Sequence, residues 1–195
     1  MKIFVLSRDA VEKELYKDKE FSKRFYFISI YSSLMCVSEK KSKSPLPSLG
    51  NILKLQFDDV TEKDIGEFVY FNEEKAKKIH EFIETIKDDG SKDFIVHCDA
   101  GFSRSGAVGY ILNEWFNKYL TMNREDDKFF KEENNHIMPN PLVVRLLKRE
   151  LFGEMFRGIE VNDYEYNEDG EVINQQPLRR RPRRRVADGA GFGFL

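Results

Sequence analysis

Cysteine, tryptophan and histidine are scarce in this chain of 195 residues, which has two, one and three of them. Cys36 and Cys98 lie far apart and form no CxxC pair. That argues against a zinc site and against the disulfide framework of a small secreted domain, and for a reducing compartment. Long apolar runs are missing as well. The first one, Ile3-Phe4-Val5-Leu6, stops at Ser7, Arg8 and Asp9, too short for a signal-peptide core, and no later run approaches a membrane span. The expectation is a soluble cytoplasmic protein with no membrane contact. What the chain does have is 41% apolar, 34% charged and 13% aromatic residues. That is material for one domain, able to bury roughly 70% of its unfolded surface without a disulfide or a structural metal.

A net charge of −2 conceals an asymmetry. Residues 1–178 carry 26 basic and 33 acidic side chains, whereas the last 17 residues carry six arginines and one aspartate. We therefore expect a domain over 1–157 and a weakly ordered tail over 158–195. The tail is first acidic (Glu160, Asp163, Glu165, Glu168, Asp169, Glu171) and then basic (Arg179, Arg180, Arg181, Arg183, Arg184, Arg185). It reads as a solvated segment, as an anchor for nucleic acid or an acidic partner, or as a piece foreign to the domain.

Within the body, strand and helix patterns alternate, the mark of an α/β domain. Strands are expected at Ile3–Leu6, at the aromatic and β-branched run Phe25–Tyr31, at Asn51–Phe57 and at Phe94–Val96. Helices are expected after Asp9, with Glu12 completing a capping box and the helix running to about Glu20, and after Asn72, with Ala76, Ile79, Phe82, Ile83 and Ile86 on one face. A buried helix should follow Arg104, and a last one should start at Pro141 with Asn140 as cap and end near Phe152. The fold expected is a three-layer α/β domain: a mostly parallel sheet of four or five strands, helices on both faces, and the site at the C-terminal strand ends. Cys36 reads as a small buried hydrophobe or, failing that, a resolving thiol for Cys98. His80 and His136 read as surface residues.

The stretch His97-Cys98-Asp99-Ala100-Gly101-Phe102-Ser103-Arg104-Ser105-Gly106 stands between a strand and a helix. Such a loop turns several backbone N–H groups toward one point, where the helix dipole adds positive potential and binds an oxyanion. Gly101 and Gly106 permit the tight turn. A thiolate at the start of this loop is stabilised by the same groups. Arg104 supplies a planar fork for two phosphate oxygens.

These residues resemble the HCxxGxxR-Ser/Thr signature of the cysteine-dependent protein phosphatases, matched at His97, Cys98, Gly101, Arg104 and Ser105. Residues 1–152 look like the dual-specificity-like bacterial and viral group, with Asp58 and Asp59 at a strand end before the cysteine and Asn140-Pro141 opening a late helix. The resemblance implies phosphomonoester hydrolysis in two steps, with Cys98 as nucleophile. Residues Asp99, Ala100, Gly101, Phe102, Ser103 and Arg104 would hold the phosphate, Ser105 would stabilise the departing thiolate, and His97 would orient the loop and help keep Cys98 ionised. The general acid would be Asp58 or Asp59. Asp59 is preferred because it borders the 58–71 loop, which also carries Asp64 and Glu67. No metal or organic cofactor is implied. The substrate would be a phosphoprotein bearing phosphotyrosine and, if the site is shallow, phosphoserine or phosphothreonine. The alternatives are an RNA 5′-triphosphatase of the same superfamily and a phosphoprotein-binding module without turnover. The loop's Asp99 and Phe102, with no lysine, disfavour highly anionic inositol lipids.

Overall fold

The computed structural model describes residues 1–34, 36–39, 41–61 and 66–153. Asp64, the acidic cluster and the Arg run lie outside the described residues. Four strands, β1 (Ile3–Ser7), β2 (Tyr26–Tyr31), β3 (Ile52–Gln56) and β4 (Phe94–Cys98), form one sheet in the order β1-β4-β2-β3. All pairings are parallel, with Ser7 opposite Cys98, His97 opposite Ser29, and Tyr31 opposite Gln56. Their C-terminal ends therefore share one edge of the sheet. The inner strands YFISIY and FIVHC are buried along almost their whole length, as strands covered on both faces must be.

Alternation along β4 assigns the two faces. Phe94, Val96 and Cys98 join Ile28, Ile30 and the core faces of three helices: α3 (Glu73–Ile86), α4 (Arg104–Asn113) and α6 (Pro141–Phe152). Ile95 points the other way, into a smaller cluster with Phe27, Leu46, Val11 of α1 (Arg8–Lys17) and Phe21 of α2 (Phe21–Arg24). Each large apolar side chain fully buried in these layers contributes about 1.5–3 kcal/mol. This is the three-layer α/β architecture expected, with four strands and every one parallel. Among the described residues no helix is long and apolar enough to cross a membrane.

Several local expectations are corrected. Ser7 caps α1, accepting from Ala10 N, so the helix begins at Arg8 and ends at Lys17, without the Asp9–Glu12 box. The helix after Arg104 changes to π-helical turns over Glu114–Leu120. A helix that no apolar stripe announced, α5 (Arg124–Glu133), is capped by Asn123 and buries only Phe130. Cys36 is exposed, not buried. Asn72 and Asn140 cap α3 and α6 as their positions suggest, accepting from Lys75 N and Val143 N.

One buried arginine ties the second face together. Arg8 donates to Glu12 and to the backbone carbonyls of Lys41 and Lys43 at 2.7–2.9 Å, strapping the Ser-Pro-Lys loop over the sheet. Its backbone N–H donates to the Asp99 carbonyl at 3.2 Å, so the strap also reaches the site.

Candidate active site

Beyond β4 the chain turns sharply at Gly101, with φ +73°. A Cβ there would stand 2.4 Å from Ser7 N and 2.5 Å from the Leu6 carbonyl carbon, so the loop can lie this close to β1 only with glycine. Four of its carbonyls are taken by donors outside the loop. Asp99 O accepts from Arg8 N, Gly101 O meets His136 Nε2 at 3.2 Å, Phe102 O accepts from Met138 N and Ser103 O accepts from Asn140 N. In a trans peptide the following N–H points opposite the carbonyl. The N–H groups of Ala100, Phe102, Ser103 and Arg104 are thereby turned away from those four donors. His136, exposed as expected, is thus also a loop contact.

Cys98 ends β4 with its thiol buried, accepting from Gly101 N at 3.3 Å and lying 3.1 Å from Ser105 Oγ in the first turn of α4. Arg104 is 5% exposed. Its Nη1 donates to Ser32 Oγ and Phe57 O, and its Nη2 to Asp99 Oδ2, each at 2.8 Å. Its Nε, equally buried, makes no hydrogen bond among the described residues. The Asp99 side chain thus holds Arg104 from within the loop; it also accepts from Ser32 Oγ at 2.6 Å and lies 3.8 Å from Arg8 Nη1.

The two candidate acids part company. Asp58 is 2% exposed and accepts from Ser33 N, Ser33 Oγ and Val69 N at 2.7–2.9 Å. Burial alone would raise its pKa, but the hydrogen bonds from Ser33, Val69 and the Cys36 thiol outweigh it and lower the pKa. Asp58 is a fixed carboxylate that joins the loop after β2 to the far end of its own loop. The Cys36 thiol, on an exposed residue, is pushed up by partial desolvation and by this carboxylate, to which it is tied. Asp59 is exposed, and its Oδ1 accepts from Ser103 Oγ and Asn140 Nδ2, both at 2.8 Å. The structure thus brings Cys98, Ser105, Arg104, Asp99, Ser103 and Asp59 together at the common strand edge. Ser32, Ser33, Arg8 and the amide of Asn140 were missed as site residues. Ser32 and Ser33 directly follow β2, and a position past the C-terminal end of a parallel strand was the available signal. Among the described residues no three His, Cys, Asp or Glu side chains converge as metal ligands.

His97 faces the second layer, fully buried, and neither ring nitrogen finds a hydrogen-bond partner of good geometry among the described residues. Burial and the Arg8 charge lower its pKa to about 4, against weaker opposing effects of Asp99 and the Cys98 backbone. At neutral pH the ring is uncharged, so it has no positive charge with which to keep Cys98 ionised. Its folded pKa lies below the unfolded value of 6.5. The unfolded chain therefore binds the extra proton between those values, and stability is full above 6.5 and falls with pH. From pH 6.5 to 5 the loss should reach about 2 kcal/mol, read from urea midpoints, and His97→Gln should flatten that slope.

A parallel sheet covered by helices, with a cysteine at one strand end and an arginine at the next helix start, defines an α/β fold class that structural comparison makes specific. No family model matches the chain, and no curated protein matches it in sequence. Among solved structures, a point variant of human DUSP28 aligns with a TM-score of 0.50 at 16% identity, covering 80% of this chain and 93% of that one. A human tyrosine phosphatase-like serine/threonine/tyrosine-interacting protein aligns at 22% identity over 75% of this chain and 89% of that one, with a TM-score of 0.49. The chain shares the fold of the DUSP28 variant.

Proposed function

We propose that the chain is a cysteine-dependent phosphoprotein phosphatase of the dual-specificity-like group, acting on phosphotyrosine and also on phosphoserine and phosphothreonine. The observation that carries this reading is the loop itself. Its carbonyls are engaged from outside, its amides are turned the other way, and a buried thiol and the unpartnered Nε of Arg104 belong to the same turn. That is a cradle for a tetrahedral oxyanion with a nucleophile at its base.

In the first step the Cys98 thiolate attacks phosphorus, the P–O ester bond breaks, and Asp59 gives its proton to the leaving oxygen. In the second, the Asp59 carboxylate takes a proton from water, whose oxygen attacks phosphorus. The P–S bond then breaks, and the thiolate leaves with a hydrogen bond from Ser105. Loop amides and Arg104 hold the equatorial oxygens throughout. Two free cysteines, one of them the nucleophile, fit a reducing cytoplasm. The 158–195 segment we take as a tail apart from this chemistry.

The reading is tested by hydrolysis of p-nitrophenyl phosphate and of phosphotyrosine, phosphoserine and phosphothreonine peptides across pH 5–8 in EDTA. Asp59→Asn should lower kcat on phosphotyrosine peptide about 100-fold or more and affect the activated aryl ester far less. Asp58→Asn should act through stability instead. Phosphate binding without turnover of any ester would replace the enzyme by a phosphoprotein-binding module.

A further inference from the structure

The residue that ties the acid to the phosphate loop is Asn140, 1% exposed, and every one of its polar groups is engaged. Its backbone N–H donates to Ser103 O at 3.2 Å and its carbonyl accepts from Val144 N at 3.0 Å. Its Oδ1 accepts from Val143 N at 3.2 Å, which is the cap of α6. The remaining donor, Nδ2, reaches Val60 O at 3.1 Å and Asp59 Oδ1 at 2.8 Å. Ser103 Oγ, from the phosphate loop, donates to that same Oδ1.

Both donors thus converge on one of the two carboxylate oxygens. Asn140 Nδ2 can only donate, and the Ser103 hydroxyl donates along the line to the same oxygen, so with both in place a protonated Asp59 carries its hydrogen on Oδ2. We propose that Asn140, with Ser103, is a positioning residue that selects Oδ2 as the proton-delivering oxygen of Asp59 and holds it in register with the phosphate loop. This rests on Asp59 being the general acid. Because Asn140 N and Ser103 O join the same two segments, a displacement of α6 relative to the loop displaces the acid as well. Fixing this geometry in advance spares the ordering cost at the moment of proton transfer.

The cap and the clamp are separable. Serine caps a helix as well as asparagine does, but its hydroxyl is too short to reach across to Asp59. The experiment compares kcat/KM for a phosphotyrosine peptide, whose leaving group needs a proton, with that for p-nitrophenyl phosphate, whose leaving group hardly does. It uses the full chain as wild type, Asn140→Ser, Asn140→Ala and Asp59→Asn, each with a thermal melt. The ratio of the two values should fall about 100-fold in Asp59→Asn and about tenfold in both Asn140 variants, while only Asn140→Ala melts appreciably lower. A ratio in Asn140→Ser within twofold of wild type, alongside a large fall in Asp59→Asn, overturns the positioning role and leaves the acid assignment standing. An unchanged ratio in Asp59→Asn overturns both. A wild type inert toward both esters overturns the phosphatase reading, and this one with it.

Discussion

Cys98→Ser should abolish turnover of p-nitrophenyl phosphate, by a factor on the order of 10⁴ or more, while binding of inorganic phosphate survives. The substitution changes one atom at the base of the loop. Gly101 N and Ser105 Oγ remain in place to meet a hydroxyl, and the turn at Gly101 is dictated by its approach to Ser7 rather than by the sulfur. A serine hydroxyl at that site stays protonated near neutral pH, and the partners described for the native sulfur, the Ser105 hydroxyl and the Gly101 amide, are not bases. The anion cradle is therefore kept and the nucleophile is lost. Steady-state kinetics together with calorimetric titration of phosphate separates the two. Turnover above a hundredth of wild type would mean that another group attacks phosphorus.

Arg104→Lys should lower kcat/KM on any phosphomonoester on the order of 10²–10³-fold and weaken phosphate binding in parallel. Three described partners take both Nη1 hydrogens and one of the two on Nη2, which fixes the plane of the guanidinium and leaves the Nε hydrogen and the second Nη2 hydrogen as donors for a ligand. An ammonium has no plane to fix. In the same space it would turn its charge to Asp99, the nearest carboxylate to the native guanidinium. The defect should therefore be partly relieved in the double variant Arg104→Lys with Asp99→Asn, measured as the phosphate inhibition constant. A fall of less than fivefold in the single variant would mean that Arg104 serves the fold alone.

The order of strands and helices was legible because burial on both faces writes itself as apolar runs, and because Asn72 and Asn140 stand where caps are needed. Helix α5 was not, since nine of its ten residues remain outside the core and its charges pair along its own surface. The loop from Cys98 to Arg104 was legible as a local pattern, whereas the different burial of Asp58 and Asp59 was not. Which carboxylate is buried is decided by Ser33 and Val69, 25 and 11 residues away, and no local spacing encodes them. The same holds for Cys36, which lies past the sheet edge on a turn that the strand pattern does not reach, and for Asp99, whose partners are contributed by three separate segments.

Neighbouring carboxylates with opposite exposure also make the end of β3 a counting device. Phe57 N is still bonded to Tyr31 O, so the sheet dictates which residue comes next in the Ser33–Val69 pocket. Deleting one residue between Leu55 and Asp58 would deliver Asp59 into that pocket and leave Val60 facing Ser103. Such a chain would keep both aspartates' neighbours in composition and lose the proposed acid by frame alone. Length polymorphism should accordingly be tolerated in the surface turns long before it is tolerated here.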